Sequence, residues 1–304
     1  MTVERERDAA AAGAAHVLTL VADRTAMLLT DTLVDRVRDV IGGGPVSVLS
    51  PGEAVDLVLD TAPDLTEVRA ALDGATVDAV AQTVQGRRKR LLIADMDSTI
   101  VTGETLDELA DFAGLKERIA AITARAMNGE LDFKAALRER VAMLKGLPVA
   151  ALEQTWQRVR LTPGARELVA TMRANGAVTA LVSGGFSFFT GRVAVLVGFD
   201  LHRSNVLLDD GAVLTGAVAE PILDRHAKVA TLRELAARDG LGLEATLAVG
   251  DGANDLDMLR EAGLGVAFHA KPIVAAAAQA RVDHADLRAL LFAQGYRVCE
   301  FVTE

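Results

Sequence analysis

The sequence predicts an α/β protein with a Rossmann-like parallel sheet, a helical cap insertion and a small α+β unit in front. Apolar runs alternate with helical stretches from Pro163 onward, which is typical of parallel strands joined by helices. Leu91 to Ala94 form a continuous apolar run, as expected of a strand buried on both faces. Residues 105–160 carry almost only helical patterns. Because they interrupt the alternation after its first strand, we expect them to form a cap over the sheet.

The stretch 16–84 has the periodicity of a ferredoxin-like βαββαβ unit. Gly42-Gly43-Gly44 and Pro45 end its first helix, which we expect to run from Ala26 to Ile41. The other predicted elements are strands at 16–21, 46–49, 54–59 and 76–84 and a helix at 65–72.

A basic segment, Gln85-Gly86-Arg87-Arg88-Lys89-Arg90, separates these two regions. We predict domains at 1–86 and 87–304, and we expect the basic segment to be a solvated joint between them. The chain as a whole has 32 Lys and Arg against 42 Asp and Glu, a net charge of −10. An acidic protein is a poor candidate for a general nucleic-acid binder, so we expect no nucleic-acid partner.

The composition also bears on location. Acidic residues interrupt the basic region of Met1 to Ala15, so it does not have the pattern of a signal peptide. No run of ~18 apolar residues occurs, and we expect no membrane span and no membrane partner. Cys299 is the single cysteine, which excludes an intrachain disulfide and fits a reducing cytoplasm.

Three polar clusters follow directly on three apolar strands of the predicted sheet. Ligands of open parallel sheets bind outside the carboxyl ends of the strands, so the clusters should face one crevice. They are Asp95-Met96-Asp97-Ser98-Thr99, Ser183-Gly184-Gly185 and Gly250-Asp251-Gly252-Ala253-Asn254-Asp255.

The first and third clusters supply carboxylates for phosphoryl transfer. One of Asp95 and Asp97 can attack phosphorus, and the other can protonate the leaving oxygen and deprotonate water. Their repulsion with Asp251 and Asp255 is relieved by a hard divalent cation such as Mg²⁺, although Mn²⁺ accepts the same ligands. We expect Asp251 to ligate the ion and Asp255 to hold its surroundings in place. Taken alone, a D-x-D pair after a strand can equally cap a turn.

Two further features suit a phosphate group. The hydroxyl of Ser183 and the unhindered backbone at Gly184 can cradle phosphate oxygens, although S-G-G alone is also an ordinary turn. Lys228, at the start of a predicted helix, can neutralise phosphate. Without its context, Lys228 would be interpreted as a surface lysine.

In this order, D-M-D-S-T, S-G-G, Lys228 and G-D-G-A-N-D resemble the four motifs of the haloacid dehalogenase-like phosphohydrolases. The motifs lie between residues 95 and 255, and the similar region covers about 87–304. The chain is most similar to the phosphoserine phosphatases of that family. The resemblance implies that Asp95 is the nucleophile and Asp97 the acid and base. It also implies that Mg²⁺ is held by Asp95, Asp251 and the backbone carbonyl of Asp97.

The same resemblance implies roles for substrate-binding residues. Glu104 corresponds to the carboxylate that binds the substrate amino group, and Arg140 to the arginine that binds its carboxylate, which suits the chemistry of phosphoserine. Met127 and Phe133 fall at the cap positions that close over the ligand. The positions that match phosphate contacts are Ser183, Gly184, Lys228 and Asn254.

The region before the phosphatase motifs resembles the ACT-type regulatory domains attached to some members of the family. Its first loop, Ala22 to Met27, departs from the Pro-Gly turn of the versions that bind ligands. Regulation by serine and dimerisation to a homodimer through this module therefore stay open as alternatives.

We thus expect an enzyme that hydrolyses O-phosphoserine through an aspartyl phosphate, the last step of serine biosynthesis. A rival of the same class is a phosphatase for another small ester, such as a sugar phosphate, and the pair Glu104 and Arg140 argues against it. A rival of another class is a regulatory binding protein with vestigial catalysis. The complete set of motif residues argues against that second rival.

Overall fold

The computed structural model describes residues 15–26, 29–127 and 131–303. The N-terminal part is a four-stranded antiparallel sheet of order β2-β3-β1-β4, with two helices on one face. This is the predicted ferredoxin-like arrangement. Its elements are β1 (His16–Ala22), α1 (Asp31–Val40), β2 (Val46–Ser50), β3 (Ala54–Leu59), α2 (Leu65–Leu72) and β4 (Val77–Thr83).

The rest of the described chain is built on a six-stranded parallel sheet of order β12-β11-β10-β5-β6-β7, which confirms the predicted fold class. A separate antiparallel hairpin, β8 and β9, leaves this sheet after β7. The strands are β5 (Leu91–Ala94), β6 (Val178–Phe186), β7 (Leu201–Asn205), β8 (Leu207–Asp209), β9 (Leu214–Val218), β10 (Thr246–Gly250), β11 (Leu264–Phe268) and β12 (Ala280–Val282).

Helices cover both faces of the parallel sheet, and a group of four forms the cap. Leu92 and Ala94 of β5 face one apolar cluster, whereas Leu91 and Ile93 face another, so the strand is buried on both sides as predicted. The cap helices are α3 (Thr105–Phe112), α4 (Lys116–Met127), α5 (Phe133–Ala142) and α6 (Ala150–Trp156). The others are α7 (Ala165–Ala174), α8 (Ser187–Val197), α9 (Arg225–Arg238), α10 (Leu256–Glu261), α11 (Pro272–Ala277) and α12 (Ala289–Ala293).

Two expectations from the sequence are wrong. Helix α1 begins at Asp31 rather than Ala26, because the hydroxyl of Thr30 accepts a hydrogen bond from the Leu33 N–H and caps the helix there. The basic segment is also not a solvated joint throughout. The side chain of Arg87 is 15% exposed, and the Lys89 ammonium donates to two backbone carbonyls.

The N-terminal sheet packs its second face against the region of the parallel sheet, with which it shares an apolar cluster. Arg87 bridges the two parts, because its guanidinium pairs with Asp56 of β3 at 2.7 Å and donates to the carbonyl of Ala293. Arg288 pairs with Glu53 at 2.9 Å. The domain limits at residues 86 and 87 stay a prediction. Among the described residues, no helix is long and apolar enough to cross a bilayer.

Candidate active site

The carboxyl ends of β5, β6 and β10 lie side by side at one edge of the parallel sheet. The three predicted polar clusters contact one another there, but Ser183, Gly184 and Gly185 lie within β6 rather than after it, because the strand continues to Phe186. The Ser183 hydroxyl lies 3.5 Å from a carboxylate oxygen of Asp97, and the amide of Asn254 lies 3.4 Å from Asp95. These contacts join residues far apart in the chain, because parallel strands bring their ends to the same edge.

Asp95 follows β5 and is 5% exposed. Its Oδ1 accepts a hydrogen bond from the Met96 N–H at 2.7 Å. This oxygen therefore caps the turn, which is the alternative role that the sequence leaves open for a D-x-D pair. Its Oδ2 faces the ammonium of Lys228 at 2.7 Å. One oxygen therefore fixes the side chain, while the other points into the polar cluster at the sheet edge.

Asp97 is held between the core and the first cap helix. Its Oδ1 accepts a hydrogen bond from the Thr105 N–H at 2.9 Å, at the start of α3. Burial first, and then the charges of Glu104 and Asp95, raise the pKa of Asp97 to about 8. A Cβ at Gly185 would lie 2.8 Å from Asp97 Oδ2, so only glycine fits there without displacing the carboxyl. With its pKa raised in this way, Asp97 retains a proton near neutral pH and can donate it.

Lys228 is a buried cation rather than a surface lysine, with 1% of its side chain exposed. Asp224 caps α9 by accepting from two backbone N–H groups, and Lys228 lies one turn further, facing inward. Its ammonium lies 2.6 Å from Asp255 and 2.7 Å from Asp95. Burial opposes the charge, but these two carboxylates raise the pKa of Lys228, so the cation is fixed at this point.

The carboxylates of Asp95, Asp251 and Asp255 can hold a metal ion. One ligand atom from each lies within 4.8 Å of the others. The oxygens of Asp255 already accept from Lys228 at 2.6 Å and from the Gly252 N–H at 3.1 Å, so this carboxylate also holds the groups around the site in place. Burial, followed by Asp95 and Glu104, raises the pKa of Asp251 to about 7. A hard cation relieves this crowding, and the donor set is all oxygen, so the residues fit a metal of the Mg²⁺ type.

The last part of β6, Ser183 to Gly185, is shaped by hydrogen bonds within the chain. The Gly185 N–H donates to the Ser183 hydroxyl at 2.9 Å, and the Asn205 amide donates to the Gly184 carbonyl at 2.8 Å. A Cβ at Gly184 would lie 3.2 Å from the ring of Phe133, the first residue of α5. The cap therefore approaches the end of β6 at Gly184 through the ring of Phe133.

The other predicted substrate residues belong to the cap side. Glu104 precedes α3 and accepts a hydrogen bond from the Ser98 hydroxyl at 2.7 Å. Partial burial and the nearby Asp95 and Asp107 raise the pKa of Glu104, although the bond from Ser98 opposes the shift. Met127 ends α4, but its side chain lies outside the described residues.

Arg140 lies on α5 in the field of two of these carboxylates. Burial lowers its pKa, and the charges of Asp107 and Glu104 oppose that shift. Its guanidinium donates to the hydroxyl of Thr123 on α4 at 3.4 Å and to the Ala136 carbonyl at 3.3 Å. The arginine is thus oriented by two cap helices and lies near Glu104.

Four positioning residues were not predicted from the sequence. Ser98 and Thr99 follow the D-x-D pair, and their hydroxyls contact Glu104 and Asp251, the latter at 3.5 Å. Their position directly after the D-x-D pair was the sequence feature that could have indicated this role. Thr123 and Asn205 carry no local signal, because each acts on a residue at least 17 positions away in the chain.

Comparison with known proteins agrees with this geometry. The family model of haloacid dehalogenase-like hydrolases matches residues 92–260. A phosphoserine phosphatase of Streptomyces coelicolor is 43% identical over 226 residues, which cover 74% of this chain and 55% of that protein. The chain therefore spans about half the length of that relative. A phosphoserine phosphatase of Streptococcus thermophilus is 44% identical over 71% of this chain and 97% of its own length.

A solved structure resembles nearly the whole chain. It is the unliganded form of a probable phosphoserine phosphatase from Vibrio cholerae, with a TM-score of 0.78 and 33% identity. The superposition covers 96% of this chain and 89% of the other. The likeness therefore includes the N-terminal sheet as well as the parallel sheet and its cap.

Proposed function

Because the chain belongs to the haloacid dehalogenase-like hydrolase family, we propose that it is a phosphoserine phosphatase, which hydrolyses O-phospho-L-serine to L-serine and phosphate. The observation that carries the proposal is the placement of two charges of opposite sign, Glu104 and Arg140, beside the Asp95 and Asp97 pair. Phosphoserine carries an ammonium and a carboxylate next to its phosphate. The ammonium is complementary in charge to Glu104, and the carboxylate is complementary to Arg140. In this role the enzyme catalyses the last step of serine biosynthesis.

In the proposed reaction, Asp95 Oδ attacks phosphorus and the bond from phosphorus to the seryl oxygen breaks. Asp97 gives its proton to that oxygen, and serine leaves. Asp97 then accepts a proton from water, whose oxygen attacks the aspartyl phosphate and releases phosphate. Asp95 and Asp97 are thereby restored. The raised pKa of Asp97 supports its role as the acid in the first step.

We propose Mg²⁺ as the metal, held by Asp95, Asp251 and the Asp97 carbonyl. When bound, it offsets negative charge on the phosphate and on the carboxylates. Mn²⁺ accepts the same oxygen ligands. Asp255 contributes indirectly, since it fixes Lys228 and the Gly252 backbone.

The phosphate is held, in this proposal, by Ser183, Gly184, Lys228 and Asn254. Lys228 is the fixed cation of this group, and its two carboxylate partners keep it from turning away. The approach of Phe133 to Gly184 brings the cap onto the end of β6, which excludes bulk water from the acyl phosphate. Met127 is proposed to close the cap beside Phe133.

Two other functions compete with this one. A sugar phosphate has no ammonium for Glu104 and no carboxylate for Arg140, so this pair of charges favours an amino-acid ester over a sugar ester. A binding protein with vestigial catalysis does not require a buried lysine paired with the nucleophile position, as Lys228 is with Asp95. A cytoplasmic location and a homodimer formed through the N-terminal sheet belong to the proposal as well, and the single cysteine supports the first of these.

The test is phosphate release from L-phosphoserine, phosphothreonine, a sugar phosphate and an aryl phosphate, with Mg²⁺ and with chelator. We expect a strong preference for phosphoserine that chelator abolishes. Arg140→Ala should raise KM for phosphoserine by roughly 10- to 100-fold, with aryl phosphate turnover retained. The matched control is Arg138→Ala, since Arg138 lies on the same helix and pairs with Glu220 at the surface. Hydrolysis of the aryl ester alone would contradict the substrate, and no hydrolysis at all would favour the binding protein.

A further inference from the structure

A buried carboxylate of the N-terminal sheet caps a turn of the catalytic region. Asp78 of β4 is 4% exposed, and its carboxylate accepts three backbone N–H groups. The donors are Asp283 at 2.7 Å, His284 at 3.1 Å and Ala285 at 2.8 Å, which form the turn after β12. Three charge-assisted hydrogen bonds to one buried group fix the position of this turn relative to β4.

The turn is bonded in its own right to the segment after β11. The carbonyl of Ala285 contacts Nε2 of His269 at 2.9 Å, and the His269 N–H donates to the Val282 carbonyl at 2.8 Å. His269 has a φ of 44°, in the left-handed region that non-glycine residues seldom adopt. Its ring stacks on Phe268 with a centroid distance of 4.3 Å. Contacts on both sides therefore hold His269 in an unfavourable backbone conformation.

The segment after β11 reaches the proposed metal site. The Lys271 N–H donates to the backbone carbonyl of Asp251 at 3.4 Å. The charge of Lys271 also opposes the upward pKa shifts of Asp251 and Glu104, so its side chain lies in the field of the site. Hydrogen bonds thus link Asp78 to the turn and the turn to His269, and the backbone then runs two residues further to Lys271, whose N–H donates to the loop of Asp251.

We propose that Asp78 is a positioning residue for the metal site, through which the N-terminal sheet holds the Asp251 loop at the distance that metal binding requires. The inference rests on the proposed function, because it takes Asp251 as a metal ligand. It assigns the N-terminal domain a part in catalysis that needs no effector. Rigid supports beyond the direct ligands contribute to metal affinity, and loss of one moves the ligand rather than removing it.

The test compares Asp78→Asn with Asp56→Asn in the full chain. Both carboxylates lie on the N-terminal sheet, both are about equally buried, and both bind the catalytic region, but Asp56 reaches Arg87 and not the 269–271 segment. The readouts are the Mg²⁺ Kd by calorimetry without substrate, the Mg²⁺ concentration for half-maximal phosphoserine turnover, and the thermal midpoint. Asp78→Asn should raise the Kd and the half-maximal concentration roughly 3- to 10-fold. Asp56→Asn should lower the thermal midpoint only.

A second variant keeps the inference testable if Asp78→Asn does not fold. His269→Asn retains a residue that tolerates positive φ but is too short to reach Ala285, and we expect the same rise in Kd. If the wild type binds Mg²⁺ and the variants bind it with the same affinity, the positioning role of Asp78 is overturned and the proposed metal site is not. Failure of the wild type to bind Mg²⁺ would overturn the inference together with the proposed metal site.

Discussion

At the scale of single residues, Lys228 shows how a site cation is fixed by its partners. Its ammonium lies between Asp95 and Asp255 and is almost fully buried. Nothing local in the sequence distinguishes it from a surface lysine, because both partners come from other strands. Only the order of the four motifs indicated its role.

Loss of the Lys228 charge should destabilise the protein in a manner that depends on pH. In Lys228→Met, two buried carboxylates lose their shared cation, and we expect a loss of about 3–5 kcal/mol in unfolding free energy at pH 8. The loss should shrink toward pH 5, because burial raises the pKa of Asp255 to about 8, and protonation of this carboxyl removes uncompensated charge. Urea denaturation with chelator measures both values. Lys116→Met, at an exposed position of α4, serves as the control. Equal losses at the two pH values would contradict the account.

Asp97 should make the metal-free protein less stable as pH rises. Its pKa is about 8 in the folded protein against 3.8 for the ordinary carboxyl, so the folded state holds the proton more tightly. Its contribution is therefore full below about pH 4 and is lost progressively up to pH 8. The asparagine of Asp97→Asn has no titrating proton. The unfolding free energy of this variant should therefore rise relative to that of the wild type as the pH increases from 4 to 8. A constant difference between the two proteins from pH 4 to 8, measured by urea denaturation with chelator, would oppose this.

At the scale of elements, the cap helices orient the group that should set substrate specificity. Arg140 of α5 donates a hydrogen bond to Thr123 of α4, so the contact between two helices orients one guanidinium. The helical nature of 105–160 was predictable from periodicity. The placement of these helices relative to one another was not predictable, because it depends on which helix faces pack together.

Removal of the Thr123 hydroxyl should weaken phosphoserine binding selectively. Thr123→Val keeps the shape of the side chain but leaves one donor of Arg140 without its acceptor. We expect KM for phosphoserine to rise roughly 3- to 10-fold, which corresponds to about 1 kcal/mol. Aryl phosphate turnover should not change, and Thr123→Ser should restore the KM. Steady-state kinetics on both esters would contradict the account if the two KM values rose together.

Element boundaries show where sequence patterns succeed. Helix α2 and strands β3 and β5 have the predicted limits, since apolar runs and turn residues mark their ends. The hairpin of β8 and β9 was not predicted, because its strands are short and half exposed and therefore lack a clear alternation. Helix α1 was predicted too early because apolar spacing continues before its cap.

At the scale of the whole molecule, the two sheets form one packed body. The basic segment was expected to be solvated, but the Arg87 side chain makes six hydrogen bonds to the two regions through Asp56, Thr19 and the end of α12. Charge runs predict exposure only when no partner is available. Here the partner is a strand residue 31 positions earlier, which the sequence does not reveal.

Replacement of the buried Arg87 should lower the unfolding free energy more than replacement of the exposed Arg88. Arg87→Ala leaves Asp56 buried without its cation, and we expect a loss of about 3 kcal/mol in unfolding free energy. Arg88→Ala removes a side chain that is 47% exposed and pairs with Glu300, and the expected loss is about 1 kcal/mol or less. Chemical denaturation of the two variants in the same buffer provides the comparison. Similar losses would show that the Arg87 contacts add little.

The central claim is that phosphate passes through Asp95. Its most direct test is acid quenching of the enzyme during turnover of phosphoserine, reduction of the acyl phosphate with borohydride, and peptide mass spectrometry. The account predicts conversion of Asp95 to homoserine in the wild type only when phosphoserine is present, and no conversion and no turnover in Asp95→Asn. Undiminished turnover in Asp95→Asn, or conversion at another carboxyl, would contradict it.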